Sequence, residues 1–308
     1  MTQEMPAADY QPPVSQLLSY GKPKNSSGTQ WFDYVKAYGF TNEHIPDLIR
    51  LACEEDLDWQ DEAECYAPIH SYRALGQLKA EEAIRPLIRV LDKDDSDWYM
   101  DDLPEVFGMI GSACIPALTD YLNHGERSSF SKMAAARGLT KVAEFYPAHR
   151  DEIVHILTEV LSHHQQHPPE LNGSLVARLL DLEATESVSV IERAYKEGPM
   201  DEMICGSWAR VQIELGLATA SDFSPEELRH KEPEWIKSIR KKLADRFPEL
   251  TLFDDTPGLP TNKKAVTNES RLELFGKSGL AAKKSKSAQP KSGFGSHLPK
   301  EKKRKRKR

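Results

Sequence analysis

Residues able to do chemistry at close spacing are mostly carboxylates. They form two clusters: Glu54, Glu55, Asp56, Asp58, Asp61, Glu62 and Glu64, then Asp92, Asp94, Asp95, Asp97, Asp101, Asp102 and Glu105. Eleven of them, Glu54, Glu55, Asp56, Asp58, Asp61, Asp92, Asp94, Asp95, Asp97, Asp101 and Asp102, are the expected acidic binding ridge for a basic protein partner. The competing account is that they are ordinary solvated charges in the links between structural elements. Calcium is a lesser option, because Asp92-x-Asp94-x-x-Asp97 lacks the fixed glycine and terminal glutamate of an EF-hand loop.

The histidines His155, His163, His164 and His167 stand close together, but no cysteine or carboxylate at ligand spacing joins them. They are read as a solvated loop, and no metal or cofactor is expected. The cysteines Cys53, Cys65, Cys114 and Cys205 form no CxxC pair, so they are read as thiols in a reducing compartment. No GxSxG, HExxH, Walker loop or strand-following GxGxxG occurs, so no catalytic residue is named. Trp31, Trp59, Trp98 and Trp208 are first packing residues and second binding anchors.

The basic residues concentrate at the other end. Lys302, Lys303, Arg304, Lys305, Arg306, Lys307 and Arg308 form an uninterrupted run that attracts polyanions, nucleic acid included, without sequence preference. In a eukaryote the run would also read as a nuclear-import signal; otherwise the expected location is cytoplasmic. Residues 256–308 hold sixteen Lys or Arg against three Glu, a net +13, so the formal charge of −7 leaves −20 on the first 255 residues. No apolar stretch approaches the roughly 20 residues that span a bilayer, and no export signal precedes the body. No membrane partner is expected.

What would position these groups is a repeat. Leu75, Phe107 and Leu139 recur at intervals of 32, as do Leu78, Ile110 and Val142, and Arg73 and Arg137 are two such periods apart. The segment 73–91 reads as a helix, a short turn, and a second helix with Pro86 at its start, and 106–122 repeats the plan with Pro116. Ile45-Pro46-Asp47-Leu48 echoes Ile115-Pro116-Ala117-Leu118. A third clear unit runs over 134–161, and a further one over 175–195 turns at Glu183-Ala184-Thr185-Glu186.

These residues, with Gly76 and Gly108 in the glycine positions and Thr140 in place of the next, resemble HEAT-like repeats of the phycobilisome-lyase type. The resemblance implies an all-α, right-handed α-solenoid of about five to six hairpins. Its motif specifies packing, and no catalytic residue carries over from it. The expected organisation is a loosely ordered segment over 1–30, the solenoid over 31–220, a capping helix region over 221–255 and a disordered basic tail over 256–308. The capping helix is placed at 233–247, where Ile236, Ile239, Leu243 and Phe247 share a face. The expected function is a non-catalytic interaction scaffold or adaptor. The alternatives are a lyase or chaperone, as the resemblance implies, and a nucleic-acid or ribosome-associated protein acting through the tail.

Overall fold

Five helix pairs follow one another along the chain among the described residues. The structure, a computed structural model, describes residues 10–23, 31–54, 63–92, 97–124, 126–231, 236–238 and 241–242, all within the compact unit Met1–Pro260. The pairs are α1 (Tyr34–Tyr38) with α2 (Ile45–Ala52), α3 (Ala67–Leu78) with α4 (Ile84–Val90), and α5 (Asp97–Ile110) with α6 (Ile115–Asn123). α7 (Ser129–Phe145) with α8 (Arg150–Ser162) and α9 (Pro169–Asp181) with α10 (Val188–Glu197) complete them; the short α11 (Glu202–Cys205) and α12 (Trp208–Glu214) follow. No strand occurs among the described residues.

Each pair turns in the same way. The first helix stops, three residues form a 3-10 turn (Asn42–His44, Glu81–Ala83, Ser112–Cys114, Pro147–His149, Thr185–Ser187), and the second helix starts at once. Pro46 and Pro116 sit in the first turn of α2 and α6, where a missing amide hydrogen costs nothing. Left-handed residues end three of the first helices: Gly39, Lys79 and Glu183, at φ of 68°, 54° and 51°. At Lys79 the amides of Lys79 and Ala80 bond back to Gly76 and Leu75, and Glu183 and Ala184 repeat this with Leu180 and Leu179.

The pairs stack in two layers. Along one, α1, α3, α5, α7, α9 and α11 each pack on the next; along the other, α2, α4, α6, α8 and α10 do the same. Leu75, Phe107 and Leu139, the residues that recur every 32 positions, are all fully buried between the layers. Gly76 and Gly108 explain the motif physically. A Cβ at Gly76 would stand 3.3 Å from the Met109 sulfur and the Val106 Cα, and one at Gly108 would stand 2.9 Å from the Lys141 Cβ. Their bare surfaces let the next helix of the layer approach. The third counterpart, Thr140, is buried with its hydroxyl donated to the Ala136 carbonyl.

Of the segment expected to be loosely ordered, residues 10–23 are described, and they are packed. Val14–Ser19 forms a 3-10 turn against α3, with Val14 and Leu17 buried. His70 of α3 fixes it: its Nε2–H donates to the Gly21 carbonyl at 2.7 Å, while its Nδ1 accepts from the Tyr34 hydroxyl at 2.7 Å. The capping helix placed at 233–247 falls mostly outside the described residues, as does the tail from 256.

Candidate functional site

The acidic ridge does not stand free where it is described. Glu54 follows α2 and accepts a hydrogen bond from the Tyr10 hydroxyl at 2.9 Å. Asp92 follows α4 and accepts from Tyr121 at 2.6 Å, with Arg127 paired to its other oxygen. Asp101 pairs with Arg137 of α7 at 2.9 Å, and Glu105 with Lys141 at 2.9 Å. Asp102 is no surface residue: it is 0 % exposed, and its Oδ2 takes the Arg73 Nε and Nη2 at 2.7 and 2.6 Å. Glu55, Asp56, Asp58, Asp61, Asp94 and Asp95 lie outside the described residues, as does the side chain of Asp97. The run Lys302 to Arg308 lies outside them too.

The position of Asp102 corrects its reading as a link residue. Helix α5 already runs from Asp97, so Asp102 sits one residue before Leu103 and four before Val106, both fully buried, on the face that packs against α3. Burial pushes its carboxyl upward, and the Arg73 guanidinium opposes that rise. Arg73 in turn lies under the Trp31 ring, 4.6 Å from its centroid, which places Trp31 among the packing residues. Trp208 likewise packs against Tyr195, with ring centroids 5.6 Å apart.

The histidines are only partly a solvated loop. His163 is exposed, but His164 is buried in the turn after α8, and His167 is half-buried with its Nδ1 3.2 Å from the Asn172 side-chain oxygen. Burial lowers the proton affinity of His167, the Asn172 hydrogen bond opposes this, and the Lys132 charge adds to the lowering. The 162–166 turn and Arg193 and Glu197 of α10 line a cleft of about 240 Å³. Among the described residues no three His, Cys, Asp or Glu stand together as metal ligands. Nor do the thiols of Cys114 and Cys205 offer a nucleophile: burial pushes both up to about 12, far from the thiolate form at neutral pH.

One apolar patch was not legible as a site. Phe145 at the end of α7 is 40 % exposed and lies over Gly108, and Met109 and Tyr146 are half-buried beside it. The Tyr146 hydroxyl donates to the Met109 carbonyl at 3.2 Å, and the Lys79 ammonium stands 5.6 Å from the Tyr146 ring. The patch therefore spans the edges of three successive pairs. The spacing gives no repeating signal for it: Gly76 meets Met109, 33 positions on, whereas Gly108 meets Phe145, 37 positions on. No helix among the described residues is long and apolar enough to cross a membrane.

No curated protein and no solved structure matches the chain. Residues 73–93 match the family model of the PBS lyase HEAT-like repeat. That stretch begins within α3 at Arg73 and takes in its turn and the whole of α4, one complete joint of the array. The chain carries a HEAT-like repeat.

Proposed function

We propose that the chain is a non-catalytic scaffold or adaptor that binds another protein on the edge of its helical layers. The observation that supports this reading is the patch of Met109, Phe145 and Tyr146, because a large aromatic side chain left 40 % exposed beside other apolar groups is what a partner buries. The buried pair of Arg73 and Asp102 holds helix to helix, which leaves the outer surface for recognition. The array is read as a right-handed solenoid over 31–220, capped over 221–255. The acidic links near Glu54 and Asp92 would attract a basic region of the partner, and the basic run 302–308 would add attraction for polyanions at short range. The cytoplasm suits the buried thiols of Cys114 and Cys205.

Affinity capture tests this with the full chain and its Phe145→Ser variant. A protein retained by the first and lost by the second supports the reading; identical retention by both, or none by either, removes it. A second reading rests on the repeat match itself: a lyase or chaperone of the PBS lyase kind. Mixing the chain with a bilin and an apo-phycobiliprotein distinguishes it, since a covalent adduct and a changed absorbance spectrum would favour the lyase. Binding of nucleic acid through the tail is a third reading. A chain truncated after Asp255 that binds nucleic acid as well as the full chain would remove it.

A further inference from the structure

We propose that the cleft between the 162–166 turn and α10 is a binding site for a phosphate monoester, distinct from the patch at Phe145. The cleft holds about 240 Å³, more than a bare phosphate needs, which leaves room for a small organic group. At its base lies His164, whose side chain is 4 % exposed. Its Nδ1–H donates to the Leu161 carbonyl at 3.2 Å, and its Nε2 is buried with no hydrogen-bond partner. The nearest carboxylate, Glu197, stands 4.0 Å away, beyond hydrogen-bond reach. An unpartnered buried imidazole nitrogen that lines a cleft is a place for a ligand group to bind.

Arg193 and the side-chain amides around it offer donors to an anion. Arg193, four residues before Glu197 on α10, is exposed, lines the cleft and forms no ion pair among the described residues. His163 adds a second imidazole, with its Nδ1 3.1 Å from the Glu159 carbonyl, and Gln165 and Gln166 bring exposed side-chain amides. The Arg193 guanidinium and the Gln165 and Gln166 amides present several donors to a tetrahedral phosphoryl group, which accepts more hydrogen bonds than a carboxylate does. The monoester in its singly protonated form donates its P–OH to the His164 Nε2, which accepts. Glu197, the one carboxylate in the lining, accepts from a hydroxyl or amine of the organic group.

Two probes carry the phosphate monoester from its two sources: glycerol phosphate as a free small ester, and a phosphoserine-containing peptide. Each is titrated into the full chain while the ring C–H resonances of His163 and His164 are followed. The expected result is a saturable shift of both resonances with at least one probe, and the tighter probe identifies the source. Arg193→Gln should weaken that binding about tenfold or more, as expected for loss of a charge-assisted contact. Lys196→Gln should leave it within about twofold, because Lys196 lies on the same helix outside the cleft, paired with Glu192, and a general field effect would not distinguish the two cations. The absence of a saturable shift with either probe up to about 20 mM, weaker than any specific site would give, would overturn the proposal. An equal loss in the two variants would also overturn it.

Discussion

Arg73 and Arg137 hold α5 from its two flanks. Arg73, on α3, pairs with Asp102, and Arg137, on α7, pairs with the adjacent Asp101. Adjacent residues on a helix point about 100° apart, so consecutive acids serve successive neighbours in the layer. The two pairs differ in surroundings. That of Arg73 is closed to water, whereas the Asp101 side chain is 61 % exposed.

Breaking the buried pair should therefore cost far more than breaking the exposed one. Asp102→Ala strands the Arg73 guanidinium and should destabilise by about 3–5 kcal/mol, while Asp101→Ala should cost about 0–1 kcal/mol. Replacing both partners, Arg73→Met with Asp102→Leu, should recover most of the loss, because the desolvation of the two charges disappears with them. Urea unfolding of the four proteins reads this directly.

The His70 clasp makes stability depend on pH. Burial, with a smaller contribution from Arg73, lowers its pKa from 6.5 to about 4 against the opposing Gly21 hydrogen bond. The unfolded chain therefore takes up the proton first as pH falls, and this favours unfolding. The contribution is complete above pH 6.5 and is lost as pH falls from 6.5 toward 4, at most about 3 kcal/mol. The stability difference between the wild type and His70→Gln should shrink by that order between pH 7 and 4. Asp102, whose burial gives the opposite slope, is present in both proteins and cancels. A difference constant with pH would contradict the clasp.

Glycine substitutions separate close packing from backbone conformation. Gly108→Ala drives a Cβ to within 2.9 Å of the Lys141 Cβ and 3.2 Å of its carbonyl carbon, so α5 and α7 must part. It should cost about 1–3 kcal/mol, whereas Gly76→Ala, with nearest approaches of 3.3 Å, should cost less. Glu183 poses the converse case, since it holds a left-handed φ of 51° that its Cβ opposes. Glu183→Gly should stabilise by about 1 kcal/mol, seen as a higher melting temperature.

Much of this architecture was legible because packing in a repeat leaves a periodic trace. Leu75, Phe107 and Leu139 had to recur for successive pairs to stack, and Pro46 and Pro116 marked where second helices begin. The individual polar groups left no such trace. Asp102 lay among other acids and was read with them, although its position beside Leu103 and Val106 placed it on an apolar helical face. His164 was grouped with exposed neighbours because a 3-10 turn rotates side chains differently from the helix before it. The patch at Phe145 depends on residues 37 positions apart, Met109 and Tyr146, whose meeting follows from layer geometry rather than from local sequence.

The most direct measurement places a photo-reactive phenylalanine analogue at Phe145 in the full chain, with a second at Phe130, the more exposed aromatic near the other end of α7, as control. On irradiation in the native cell extract, one protein should be cross-linked at position 145 and not at 130. Equal labelling at the two positions, or none at 145, would contradict a scaffold that binds its partner at the layer edge.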